Sequence, residues 1–133
     1  MKIKIIFLTT QQVLFIHDRA VKRYDGSFGV RDLGLVESAV ARPQATFGGE
    51  YLYFSIFDKA AALLQSLLKN HPFVDGNKRT ALTSAGLFLW KNGYRLTNNH
   101  TKEVEFAIRV DNGNLTIEQI SKWLKEHSVK ITK

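Results

Sequence analysis

Between two strongly apolar stretches the chain reads Asn70-His71-Pro72-Phe73-Val74-Asp75-Gly76-Asn77-Lys78-Arg79-Thr80-Ala81-Leu82. These residue types are the parts needed to move a phosphoryl or nucleotidyl group onto a hydroxyl. His71 can act as a general base near neutral pH. Asp75 is a hard oxygen ligand suited to a Mg²⁺ ion shared with phosphate oxygens. It could also cap the helix that follows, and the two roles are compatible. Gly76 lets the backbone approach a phosphate closely, and Asn77 tolerates the unusual dihedral angles that such a turn needs. A helix beginning at Asn77 or Lys78 would add unpaired N–H groups and the positive end of its dipole. Lys78 and Arg79 put two cations into that first turn, where acids are usually preferred. A bound polyphosphate would explain the exception. The spacing is not that of a Walker loop, which requires a Gly-Lys pair at a fixed distance from an earlier Gly.

The elements that must hold this loop are helical. The helix before it is expected over Ser55–Asn70, with Ile56, Ala60, Leu63, Leu64, Leu67 and Leu68 covering more than one face. Pro72 disfavours helix at the residue before it. The helix after it should run to Asn92 and stop at Gly93. Thr9 and Gln12 stand at capping-box spacing and open a helix that ends near Tyr24, with an apolar stripe of Val13, Leu14, Ile16, Ala20 and Val21. Asp32 can cap another, with Leu33, Val36 and Val40 inward and Pro43 ending it. Thr46 to Glu50 reads as a turn. Thr101 and Thr116 are expected to cap two more helices, reaching about Val110 and Glu126, with Thr116 and Gln119 forming a second capping box. Residues 3–8 read as a short strand or an extended lead-in. The expected architecture is all-α, about six helices in one domain over residues 1–133, with scarcely any strand.

Composition limits the function classes. A 133-residue chain with 44% apolar residues can bury its own core, and no apolar run approaches the ~20 residues of a membrane span. There is no Cys, so disulfides and thiolate metal sites are excluded. No signal-peptide core follows the basic start, so a cytoplasmic location is expected, with no membrane partner. The net charge of +7 invites a nucleic-acid reading. Most of it sits at the ends, on Lys2 and Lys4 and on four lysines against Glu126 in the last twelve residues. A solvated lysine fringe accounts for that, and no specific nucleic-acid partner is expected. His17, His100 and His127 lack metal-ligand spacing and read as structural or exposed. Trp90 and Trp123 lie at helical spacing from leucines and read as core.

The run His71 to Arg79 resembles the signature of the Fic/Doc (Fido) family, and Lys78 within it resembles the Doc, or death-on-curing, branch. Phe15-Ile16-His17-Asp18, Tyr24-Asp25-Gly26 and Ala81 through Gly93 are similar to Doc toxins as well. The resemblance implies a compact six-helix toxin, ATP with Mg²⁺, and phosphorylation of elongation factor Tu that stops translation. It implies His71 as the base for the target hydroxyl, Asp75 as the metal ligand, Gly76 and Asn77 as the anion cradle, and Lys78 and Arg79 as the phosphate grip. Phe73 would anchor the loop in the core. The loop from Asp25 to Asp32, with Gly26, Gly29 and Arg31, matches the family's flap, which pairs with an extended target segment; an ordinary helix–helix turn is the other reading.

AMP-transferring Fic proteins have Gly where Lys78 stands and a second Arg where Leu82 stands. The resemblance therefore implies a nucleotide presenting its terminal phosphate to His71, so a kinase, with AMP transfer as the alternative. A non-catalytic basic module that binds ribosome or nucleic acid is a further alternative, as is a degenerate pseudo-enzyme. Thr46 and Glu50 are followed by Tyr51, and Thr101 and Glu105 by Phe106, so neither pair completes the Fic inhibitory pattern. Restraint would come from another chain, by resemblance a Phd-like antitoxin that folds on binding.

Overall fold

A computed structural model describes residues 4–97 and 99–132. Among them are six α-helices: α1 (Thr10–Arg23), α2 (Leu33–Ala41), α3 (Ile56–Lys69), α4 (Asn77–Lys91), α5 (His100–Asp111) and α6 (Ile117–Glu126). Local side-chain chemistry sets most of their starts. Thr9, Ser55 and Thr116 each close a full capping box, with Gln12, Asp58 and Gln119. Asp32 caps α2 through the Leu35 N–H. For α5 the cap is Asn99, not Thr101: the Asn99 side chain accepts from the Lys102 N–H, and the helix begins two residues before Thr101's expected first turn.

The centre of the molecule is α3, whose Ala60 to Leu64, Leu67 and Leu68 are almost completely buried. It packs against α4, α6, α2 and α5, which cover its leucines on every side and leave Gln65 and Lys69 as the residues of that half that reach water. Each buried leucine contributes about 1.5–3 kcal/mol relative to exposure. Phe88, Leu89, Phe106, Ile120 and Leu124 complete the cluster from three neighbouring helices. The α3–α4 pair is thus the rigid frame from which residues 70–76 emerge. No helix among the described residues is long and apolar enough to cross a membrane.

Of the two readings for the N-terminal residues the extended lead-in is the one found: residues 4–9 are extended, and the Asn92 side chain holds them, its Oδ1 accepting from Ile6 N at 2.9 Å and its Nδ2 donating to Ile6 O at 2.8 Å. Residue 3 lies outside the described residues. Three departures from the expected layout have physical causes. The turn at residues 46–50 is a hairpin of β1 (Thr46–Phe47) and β2 (Glu50–Tyr51), with Gly48 and Gly49 both at positive φ, as a two-residue connection demands. A second antiparallel pair joins β3 (Tyr94–Leu96) to β4 (Ser128–Lys130), and ties the end of α4 to the end of α6. Finally, Trp90 and Leu33 are exposed rather than core, whereas Trp123 stacks between Phe106 and His127 at 3.9 Å from each.

Candidate functional site

The segment between α3 and α4 is fixed by hydrogen bonds from three directions. From α1, His17 stacks on Phe73 with ring centroids 3.8 Å apart, and its Nε2 donates to Asp75 O at 2.8 Å. From α4, the Asn77 side-chain amide holds both backbone groups of Phe73, accepting from its N–H at 3.1 Å and donating to its carbonyl at 3.0 Å. From the α1–α2 connection, Arg31 Nε donates to His71 O at 2.7 Å, and its second nitrogen donates to Asn70 O at 2.6 Å. The Arg31 and Asp32 N–H groups both donate to Pro72 O, and Val74 N donates to Gly29 O. Phe73, buried in the core, pairs with Val30 as an isolated antiparallel bridge. The segment is therefore ordered before any ligand arrives.

Two residues here have left-handed backbone. Gly76 has φ +80, and an added Cβ would find room there, so the dihedral angle is what demands glycine. His71, at φ +46, has no such licence. A conformation of this kind costs about 1–3 kcal/mol and persists because the Arg31 clamp and the Phe73 anchor determine the path on either side. It turns the imidazole out of the core; the side chain is half exposed.

A cleft of about 520 Å³ opens beside it, within the range of small-molecule sites. His71, Asp75, Gly76, Lys78, Arg79 and Leu82 line it, together with the Asn77 backbone turn and Gly26. No side chain caps α4, in contrast to the other five helices, and its first turn contains no acid. The first-turn N–H groups and the dipole are thus left for an anion at the cleft. Asp75 does not cap this helix: Oδ1 accepts from Gly76 N at 2.8 Å and Oδ2 from Ser27 N at 3.1 Å. Those bonds, Ser27 first, hold its pKa below the usual carboxylate value, so it is ionised. A Cβ on Gly26 would stand 2.8 Å from Oδ2, so only glycine lets this carboxylate settle without a shift.

The cations differ in their engagement. Lys78 Nζ lies 3.8 Å from Asp111 Oδ2, and Arg79 packs its guanidinium over the Tyr24 ring at 4.1 Å. Asp111, the last residue of α5, also reaches His71, with Oδ1 2.8 Å from Nε2. Of the residues picked out by sequence, His71, Asp75, Gly76, Asn77, Lys78, Arg79 and Gly26 meet at the cleft. Phe73, Gly29 and Arg31 stand behind it and support the loop. Asn77 faces its side chain to Phe73, so only its backbone serves the cleft, and the left-handed residue of the turn is Gly76. Sequence reasoning missed Asp111 and the supporting role of His17. His17 was readable, since it falls one turn from both Val13 and Val21 on the buried face of α1; nothing in the sequence marks Asp111, forty residues from His71.

The described residues contain no group of three or more His, Cys, Asp or Glu side chains that could enclose a metal by themselves. Asp75 still fits a shared Mg²⁺ site: it is ionised, lies on the cleft, and keeps lone pairs beyond the two that its N–H donors occupy.

The model of the Fic/DOC family matches residues 7–89, which include α1, the loop and most of α4. Over 73 residues the chain is 58% identical to "Toxin Doc" of Mycolicibacterium smegmatis, covering 55% of this chain and 56% of that protein. The chain thus spans about half the length of that relative in the match. Over 118 residues it is 29% identical to "Protein kinase doc" of Escherichia phage P1, covering 89% of this chain and 92% of that protein. With the family model spanning well over half its residues and the signature loop lining one cleft, the chain belongs to the Fic/DOC family.

Proposed function

We propose that this chain is a Doc-like toxin that transfers the terminal phosphate of ATP to a hydroxyl of a translation factor, elongation factor Tu, and so blocks translation in the cytoplasm. The convergence of His71, Lys78, Arg79 and an uncapped helix N-terminus on one cleft carries the reading. The target's hydroxyl oxygen attacks the terminal phosphorus, the bond from that phosphorus to the bridging oxygen breaks, and ADP leaves. His71 takes the hydroxyl proton. Lys78, Arg79 and the backbone N–H groups after Gly76 hold the phosphates, where preorganised donors stabilise developing charge. Asp75 would hold Mg²⁺, which supplies charge neutralisation on the phosphate oxygens.

Leu82 supports phosphate transfer over AMP transfer. It lines the cleft with an aliphatic side chain where AMP-transferring relatives of this fold have a second arginine. The name of the phage relative, matched over most of both chains, points the same way. The connection that carries Gly26, Gly29 and Arg31 would serve as the flap for an extended target segment through the edge not already bonded to residues 70–74, and a Phd-like antitoxin would restrain the toxin in trans. Incubation with Mg²⁺, elongation factor Tu and ATP labelled at either end tests the reaction. Label from the terminal phosphate should reach the factor; label from the alpha phosphate alone would mean AMP transfer, and no label would return the chain to a binding role.

A further inference from the structure

We propose that Asp111 is a positioning carboxylate for His71: it fixes the ring proton on Nε2, leaves Nδ1 as the acceptor, and steadies the imidazolium that forms when the proton arrives. The proposal rests on the reading of His71 as the base. Its ground is geometric. Asp111 closes α5, and the carboxylate comes within 2.8 Å of Nε2 through Oδ1. The Asp111 side chain is 21% exposed and that of His71 50%, so the contact lies at the open rim of the cleft, and its short, aligned geometry rather than burial is what it offers. Nδ1 has no hydrogen-bond partner among the described residues, and His71 lines the cleft. A carboxylate accepts and cannot donate, so the neutral ring must carry its proton on the nitrogen facing Asp111. That is the orientation and tautomer logic by which a carboxylate serves an imidazole base in nucleophilic catalysis.

The groups around His71 make the arrangement responsive to substrate. Asp111 faces the ring from α5, Lys78 of α4 stands 3.8 Å from the carboxylate's other oxygen, and Arg31 of the α1–α2 connection holds the His71 carbonyl. Before ligand binds, Lys78 shares the Asp111 charge. A phosphate that draws Lys78 away leaves the carboxylate to His71 alone, at the moment the ring is due to gain a positive charge.

The test uses the full chain as wild type, Asp111→Asn, Asp111→Glu and His71→Ala. Phosphate transfer from ATP to elongation factor Tu is measured together with ¹⁵N NMR of the His71 ring, a readout that needs no acceptor protein. In the wild type the ring should be protonated at Nε2 and bare at Nδ1. Asp111→Asn should mix the tautomers and lower kcat by about tenfold or more, because the base then spends part of its time in the wrong tautomer. KM for ATP should not rise, because Lys78 loses a competing anion. Asp111→Glu should recover part of kcat, and thermal melting of the variants should match the wild type. Unchanged or increased kcat in Asp111→Asn, with His71→Ala inactive, would overturn the proposal, an increase meaning that Asp111 masks the base; the reading of His71 would stand. A wild-type ring protonated at Nδ1 would also overturn it. Transfer surviving in His71→Ala would remove the base reading and the proposal with it.

Discussion

Two pairs of cations serve this molecule in opposite ways. Lys59 of α3 is completely buried, and its Nζ donates to Tyr53 O at 2.6 Å and Phe54 O at 2.8 Å while lying 4.1 Å from the Tyr51 ring. Burial pushes its pKa down, with Asp58 opposing. Arg42 donates to the Tyr53 hydroxyl, Gln65 Oε1 and Ser66 Oγ, all within 3.0 Å. Each is held by several protein acceptors, and together they tie the β1–β2 hairpin and the residues after it to α3. Lys78 and Arg79 are different. They extend from an uncapped helix start into a cleft, and between them hold one carboxylate at 3.8 Å and the face of one tyrosine. A cation held by several protein acceptors is architecture; a cation with few such partners beside an open helix N-terminus is available to a ligand. Charge alone does not separate the two pairs, and the partner list does.

The largest expected effect falls on the pair held by the protein. Lys59→Ala leaves the part-buried Tyr53 and Phe54 carbonyls without their donor and a void where the buried lysine stem lay, and should cost about 3 kcal/mol of stability, measured by urea unfolding. Transfer activity of the molecules that remain folded should be unchanged. Lys78→Ala should do the reverse: stability within about 0.5 kcal/mol of wild type, as for a surface change, but kcat/KM for ATP reduced by roughly tenfold or more through loss of a charge-assisted contact. If Lys78→Ala destabilises as strongly as Lys59→Ala, the distinction between the pairs fails.

The smallest effect concerns Asp75, whose carboxylate is held ionised by the Ser27 and Gly76 N–H groups. Its folded pKa lies below the ordinary 3.8, so its stabilising contribution is fully present above that pH and is lost as acid protonates it in the folded state. Metal-free wild type should therefore lose more stability below about pH 4 than Asp75→Asn does. Equal acid sensitivity in the two proteins would mean that the two N–H bonds stabilise nothing.

Much of this was legible in the sequence, for reasons that are local. Capping boxes at Thr9 and Thr116, the Asp32 cap and the leucine spacing of residues 55–70 act within a few residues, so six helices follow from short-range chemistry. The signature loop is contiguous, and its residue types speak for themselves. What was hidden depends on distance along the chain. Strands β3 and β4 have three residues each and lie thirty apart, so neither carries a period that identifies it. Asn99 and Thr101 are both good caps, and only the fold chooses between them. Trp90 sits at core spacing on α4, yet faces an open cleft beside Arg95 and His100. Arg31 resembles a surface residue of a turn until the structure brings its guanidinium under Asn70 and His71.

The most direct test of the account is the intact mass of elongation factor Tu after incubation with ATP and Mg²⁺, using wild-type chain and His71→Ala side by side. The wild type should add the mass of one phosphate, and His71→Ala should add nothing while it melts and binds ATP as the wild type does. A mass gain of AMP, or a phosphate added equally well without the imidazole, would contradict the assignment of this cleft as a phosphoryl-transfer site with His71 as its base.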